Sequence, residues 1–312
     1  MSKLITVVTG CYNEEGNVDE LYRRVKAVFE AMPEYRYEHL FIDNASEDTT
    51  VEKIKAIAKH DKNIKLIVNA RNFGHIRSPF YALMQAQGDA VISLVADLQD
   101  PPEIIPEFLK QWENGFRIVV GVKNKTEESF LIRHVRRLYY KIMTRISEEN
   151  LIENFTGFGL YDQQVINEMR KMEDVYPYFR GLVSEIGFKV ARIQYVQPQR
   201  LAGKTKNNFY TLYDLAMLGI TSHSKVPIRL VIFCGFILSV ISLGLSLLFF
   251  ILKLIFWKHF TLGLAPILIG MFFFSSIQLF FIGILGEYIL SINRQVLKRP
   301  LVVEKERVNF DV

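Results

Sequence analysis

Apolar residues in the first 121 positions fall into short runs separated by longer amphipathic stretches. The runs Leu4–Thr9, His39–Ile42, Ile64–Val68, Ala90–Val95 and Arg117–Gly121 are rich in β-branched side chains, which predicts five strands. Between the first two, Val18, Leu21, Val25, Val28 and Phe29 recur at helical spacing. Asn17, with Glu20 three residues on, predicts a capping box at the start of that helix. Alternating strands and helices imply an α/β domain, a mostly parallel sheet covered on both faces, with ligands bound beyond the carboxyl ends of the strands.

The last third of the chain has a different pattern. Leu230–Leu252 and Phe260–Gly286 carry no charge over 23 and 27 residues, long enough to cross roughly 30 Å of hydrocarbon. A two-helix transmembrane hairpin is expected, with spans at about 230–252 and 260–290. Composition agrees: half of the 312 residues are hydrophobic and 24 are Phe, high for a protein that meets only water. The short connector holds Lys253, Trp257, Lys258 and His259, so both outer ends emerge on one side. Lys225 and Arg229 precede the hairpin, and Arg294, Lys298, Arg299, Lys305 and Arg307 follow it, which predicts a cytoplasmic location for both termini. The opening "KLITVVTG" is too short and too β-branched for a signal peptide. Expected parts are a domain over 1–206, a juxtamembrane interfacial helix region over 207–226, the hairpin over 227–293 and a tail over 294–312. In the juxtamembrane part, Phe209, Leu212, Leu215, Ala216 and Leu218 give an apolar face. Gly263, Gly270, Gly283 and Gly286 allow close helix approach, from which a homo-oligomer is expected. The net charge of +5 suits an anionic membrane surface, and no nucleic-acid partner is expected. Cys11 and Cys234 lie in different regions and suggest no disulfide.

Chemistry-bearing residues follow the predicted strands. "GCYNEEGN", "DNASEDTT" and "ADLQDPPE" follow the first, second and fourth runs, so Glu14, Asp43 and Asp97 should converge on one crevice. No G-x-G-x-x-G follows the first strand and no P-loop occurs, which disfavours a dinucleotide-binding or P-loop site. In "RHVRRLYYKIMTRI", Arg133, Arg137, Lys141 and Arg145 recur every four residues opposite Leu131, Val135, Leu138 and Ile142, a basic amphipathic pattern suited to an anionic bilayer and a lipid phosphate. "QRLAGKTKN" places Arg200, Lys204 and Lys206 just ahead of the hairpin.

The motifs "YNEE", "IDNASEDTT", "RNFGH" and "ADLQDPPE", in that order and spacing, resemble family 2 glycosyltransferases of the GT-A fold. With the C-terminal hairpin, the chain resembles the polyisoprenyl-phosphate glycosyltransferases, the group that includes bactoprenol glucosyltransferases and dolichol-phosphate mannose synthases. The resemblance implies that Tyr12, Glu14 and Asp43, together with Asp97, hold the nucleotide, and that Asp97 and Gln99 hold a divalent metal, Mg or Mn, on the diphosphate. It also implies that "QRLAGKTKN" is a loop over the active site, with Arg200 and Lys206, alongside Arg133 and Arg137, on the acceptor phosphate. Two departures stand out. Val95 replaces the first acid of Asp-x-Asp, and "TGFGLYD" has Gly157 and Gly159 at the Asp and Arg of Gly-Asp-Phe-Arg. Asp162 and Glu153 are the nearby carboxylates left to serve in catalysis beside Asp97.

A lipid phosphate is already an anion near neutral pH and needs no strong general base, whereas a sugar hydroxyl does. The missing acid therefore favours phosphate as nucleophile. The implied reaction moves a sugar from a nucleotide donor such as a UDP-hexose to a polyisoprenyl phosphate such as undecaprenyl phosphate on the cytoplasmic face of a bacterial inner membrane, inverting the anomeric centre. Two other readings stay open. One is a nucleotide-sugar-binding membrane sensor or scaffold; the other is a processive polysaccharide synthase, for which two spans are few to build a channel.

Overall fold

The computed structural model describes residues 2–123, 152, 154–198, 209–255 and 264–310. The five expected strands form as β1 (Leu4–Cys11), β2 (Arg36–Asp43), β3 (Ile64–Asn69), β4 (Ala90–Val95) and β5 (Ile118–Lys123). Helices α1 (Val18–Glu30), α2 (Thr50–His60), α3 (Gly74–Gln85) and α4 (Ile105–Glu113) separate them. Then come β6 (Phe155–Asp162), α5 (Gln163–Lys171), α6 (Phe179–Glu185), β7 (Val190–Tyr195), α7 (Phe209–His223), α8 (Val226–Ile255), α9 (Leu264–Val296) and β8 (Glu304–Val308).

The eight strands make one sheet in the order β7-β5-β6-β4-β1-β2-β3-β8. Strands β1, β2, β3 and β4 run parallel, β6 runs antiparallel to β4 and β5, and β7 is parallel to β5. The central strands are apolar on both faces because helices cover both. Val7, Phe41, Leu66, Ile92 and Leu160 fill one layer, and Val8, Leu40, Ile42, Ile67 and Val91 fill the other.

Asn17 does stand at the N-terminus of α1, but the expected capping box is absent. Its side chain makes no capping bond, and its Nδ2 donates to Glu14 Oε2 at 2.7 Å. Glu20 pairs with Arg23 instead.

Residues 294–312, expected as a tail, contain β8, which adds antiparallel to β3. Ala70 N donates to Val303 O at 2.8 Å, Val302 is buried, and Asn309 Nδ2 donates to the carbonyls of Ala58 and Ile64. The sheet thus receives strands from both sides of the apolar helices. At 1.5 Å per residue, the 30 residues of α8 and the 33 of α9 extend roughly 45 and 50 Å. Val226–Leu245 and Gly270–Val296 are long and apolar enough to cross a membrane, and most of their Phe, Leu and Ile side chains are exposed. The connector residues Trp257, Lys258 and His259 lie outside the described residues.

Side-chain contacts join the hairpin to the domain. Leu218 of α7 packs with Tyr178 and with Ile76 in the first turn of α3, and Tyr288 donates to Ser224 O at 2.8 Å. Gln295 donates to Asp174 at 2.6 Å, and the Arg77 guanidinium donates to Pro300 O.

Candidate active site at the strand ends

The loops after β1 and β2 are joined by hydrogen bonds between them. Asn13 N donates to Ser46 Oγ at 2.9 Å, Glu47 N to Asn13 Oδ1 at 2.8 Å, and Glu14 N to Thr50 Oγ1 at 2.8 Å. Asn13 and Ala45 adopt positive φ, 56° and 62°, which lets the two loops turn toward each other. Asp43, fully buried at the end of β2, accepts from Ser46 N and Ser46 Oγ. Burial raises its pKa, and the Ser46 bonds oppose the rise. On the adjacent strand, Cys11 is pushed up by burial and then by Asp43, Glu14 and Asp48. This part of the crevice is therefore rich in acids, suited to accept hydrogen bonds from hydroxyl or amide groups rather than to hold phosphate. Tyr12 and Glu14 lie beside it, half-buried.

The "RNFGH" segment is tied into the same end of the sheet. Asn44 Oδ1 accepts from Phe73 N at 2.8 Å, Asn44 Nδ2 donates to Asn72 Oδ1 at 2.9 Å, and buried Asn69 donates to Ser78 at 2.9 Å.

Beyond β4 the chain alternates inward and outward. Ala96, Leu98 and Asp100 are buried, while Asp97 and Gln99 between them are half-exposed. Leu98 has φ +60°, a strained value for a side chain branched at Cγ, costing of order 1–3 kcal/mol. Asp97 Oδ1 accepts from Gln99 N at 3.2 Å, a local turn bond. No side chain caps the turn of 3₁₀ helix at Pro102–Ile104, so Asp97 does not serve there. Since β1 pairs with β2 on one side and β4 on the other, Asp43 lies level with Cys11, and Asp97 follows two residues past Val95, the partner of Gly10, on the other side of β1. Glu14, Asp43 and Asp97 are thus brought to one end of the sheet, as the strand pattern anticipated.

Asp162 is not. It pairs with Ala90, at the start of β4, because β6 runs the other way. Five residues of strand separate that level from Val95 at the end of β4, roughly 17 Å, and Asp97 lies beyond it. There Asp162 accepts from Trp112 Nε1 at 2.7 Å, from Arg117 at 2.8 Å and from Gln164 N at 2.9 Å, capping α5. It holds structure far from the crevice. Arg133, Arg137, Glu153, Arg200 and Lys206 lie outside the described residues.

The two family departures lie on neighbouring strands: β4 and β6 pair as far as Ser93 with Gly159, and β6 then shifts register against β5 between Gly159 and Phe155, the stretch that holds Gly157. Gly157 has φ +110°, where L side chains are strained, and a Cβ there would sit 3.5 Å from the Phe179 ring. A Cβ at Gly159 would lie 2.5 Å from Val119 O, which no side chain tolerates. Val95, by contrast, is 43% exposed.

Sequence reasoning gave no role to Asp100 and Tyr195. Asp100 is 2% exposed and accepts from Tyr195 Oη at 2.6 Å, 95 residues away. Burial pushes its carboxyl up to about 6; Tyr195 and Lys123 oppose the rise and Asp97 adds to it.

Among the described residues no group of three or more His, Cys, Asp and Glu could cage a metal. One half-exposed carboxylate with a neighbouring Gln side chain does fit Mg²⁺ or Mn²⁺, which take one or two carboxylates and fill their remaining positions from water and phosphate.

The glycosyl transferase family 2 model matches residues 6–170. A glycosyltransferase of Bacillus subtilis strain 168, the uncharacterized YkcC, is 33% identical over 98% of this chain and 94% of its own. The bactoprenol glucosyl transferase of Shigella phage SfII is 32% identical over 97% of each chain. The crystal structure of a mycobacterial protein superposes with a TM-score of 0.50 at 15% identity, over 70% of this chain and 73% of that one, a likeness of fold. With the family match covering more than half of the chain and the crevice lying at the carboxyl ends of a mostly parallel sheet, the chain belongs to glycosyl transferase family 2 and has the GT-A fold.

Proposed function

We propose that this protein transfers a sugar from a nucleotide donor, a UDP-hexose, to a polyisoprenyl phosphate at the cytoplasmic face of a bacterial inner membrane. The observation that carries the reading is the placement of Asp43 and Asp97 at the ends of the two strands flanking β1, on the sheet end reached by the family motifs. The full-length likeness to a bactoprenol glucosyl transferase supports the lipid acceptor. In this reading Tyr12, Glu14 and Asp43 receive the base and ribose, and Asp97 and Gln99 would hold a divalent ion. Such an ion, when bound, neutralises charge developing on the diphosphate leaving group. A phosphate oxygen of the acceptor attacks the anomeric carbon, the new C–O bond forms as the bond to the nucleoside diphosphate breaks, and the centre inverts. Arg133, Arg137, Arg200 and Lys206 are assigned to the acceptor phosphate on the sequence pattern.

The topology supports the membrane arrangement. Because β7 precedes and β8 follows the apolar helices within one sheet, two crossings return the chain to the side it left. Both termini then share the cytoplasmic side, where the basic residues gather. Association into a homo-oligomer through the glycine-bearing helices is part of the proposal.

The test is a radiolabelled UDP-sugar panel with a short polyisoprenyl phosphate and full-length protein in detergent. Wild type should yield a chelator-sensitive lipid-linked sugar, and Asp97→Ala should lower transfer roughly 10²-fold. Donor affinity in chelator should stay unchanged in Asp97→Ala. Tight donor binding without transfer to any lipid phosphate would replace the enzyme reading with a sensor or scaffold.

A further inference from the structure

A buried carboxylate is costly unless its hydrogen bonds give the fold something that an apolar side chain would not. Asp100 is such a group. It lies one residue past Gln99, at the last inward position of the turn after β4. Its Oδ1 takes the Tyr195 hydroxyl at 2.6 Å. Tyr195 ends β7, and Lys123, whose charge acts on Asp100, ends β5. The turn after β4 and the end of β7 are therefore tied together at one carboxylate.

The turn needs such an anchor. Leu98 holds a positive φ, so the backbone between Ala96 and Asp100 stays in place only if its buried positions fix it from both sides. Leu98 is packed in the core on one side, and Asp100 is hydrogen-bonded on the other. Asp97 and Gln99 are carried between these two anchors.

We propose that Asp100 is a positioning residue, which through the Tyr195 hydroxyl fixes the Ala96–Asp100 turn and so aims Asp97 and Gln99 into the crevice. The inference rests on the functional reading above for what the aimed side chains do, but not for the anchoring itself. Tyr195→Phe removes the hydroxyl and keeps the ring, which packs edge-on against Phe158 at 5.4 Å. Asp100→Asn retains an oxygen that accepts from Tyr195, whereas Asp100→Ala does not.

The experiment uses full-length protein in detergent and measures three quantities. Hydrogen exchange should be at least tenfold faster for a peptide covering 93–101 in Tyr195→Phe and Asp100→Ala, with a peptide covering 36–43 unchanged. UDP affinity in chelator should match wild type in every variant, while the gain in affinity on adding Mn²⁺ should fall about tenfold in Tyr195→Phe and Asp100→Ala and be largely restored in Asp100→Asn. The double variant Asp100→Ala with Tyr195→Phe should be no worse than either single one, because both break one bond. Unchanged exchange at 93–101 overturns the inference, and so does an equal loss of UDP affinity in chelator, which marks general destabilisation. A wild type that shows no gain from Mn²⁺ counts against the functional reading instead, and the exchange result then still decides the anchoring.

Discussion

Asn309 pins the returning strand to the sheet, and its loss can be sized from the structure. Its Nδ2 donates to Ala58 O at 2.7 Å, at the end of α2, and to Ile64 O at 2.8 Å, at the start of β3. Its backbone is left-handed, φ +60°, a conformation that Asn tolerates and Ala resists by roughly 1–2 kcal/mol. Asn309→Ala leaves two carbonyls without this partner, about 1 kcal/mol each, and adds the backbone strain, for a total of about 3 kcal/mol. The bond that Lys62 gives to Asn309 Oδ1 is exposed and long, 3.2 Å, and adds little. Asn309→Gly loses the same two bonds without the strain, so it should cost about 2 kcal/mol. Urea unfolding of full-length protein in detergent, followed by tryptophan fluorescence, gives both values. A loss below 0.5 kcal/mol in Asn309→Ala would refute the idea that β8 is held at this point, and equal losses in the two variants would refute the strain contribution. The consequence reaches the membrane part, because β8 follows the hairpin and returns the chain to the sheet. Deleting the hairpin together with everything after it therefore removes a strand of the domain and exposes the β3 edge.

Two further outcomes are expected. His39 is fully buried, stacked on Phe41, with Nε2 2.9 Å from Thr9 Oγ1, and burial pushes its pKa down to about 3. The folded pKa lies below the unfolded value, so stability is complete above about pH 6.5 and falls by about 1.4 kcal/mol per pH unit as pH drops from there toward 3. Unfolding midpoints at pH 7.5 and 5.0 should show about 2 kcal/mol of acid loss that His39→Gln lacks, and equal acid loss in both proteins would sink the assignment. Val95→Asp, at a 43% exposed strand end two residues from Asp97, should change stability by less than about 1 kcal/mol and lower the Mn²⁺ concentration needed for UDP binding roughly tenfold. An unchanged Mn²⁺ requirement would mean that position 95 does not face the metal.

The first five strands were legible because each is a β-branched run between helices and is buried on both faces. The later three were not. β6 reads "FTGFGLYD", with glycines at two positions where Gly157 must hold φ +110° and Gly159 must clear Val119 O, so its pattern reflects close backbone approach rather than side-chain packing. β7, "VARIQY", is short and edge-placed, with only Tyr195 buried. β8 is "EKERV", four charges in five residues at a sheet edge, and nothing in such a string distinguishes a strand from a soluble tail. Its charges were counted as membrane-surface charge, yet Arg307 is engaged with Glu304 and Gln85.

The same limit explains where the acids fall in the fold. A carboxylate just past a strand faces the crevice only if that strand runs parallel to its neighbours, and strand direction is not written in the strand's own residues. Asp43 and Asp97 end parallel strands, so reading them as crevice groups agrees with the fold. Asp162 ends a strand that runs antiparallel to β4, and its carboxyl end points away. Reversal of β6 has the opposite effect on its beginning: the Phe155–Gly157 end of the strand lies toward the carboxyl ends of β4 and β1. The backbone there accepts glycine at 157 and at 159 for steric reasons. A carboxylate can return to this corner at Val95 with far less strain than at Gly157, and that difference makes Val95→Asp the informative substitution.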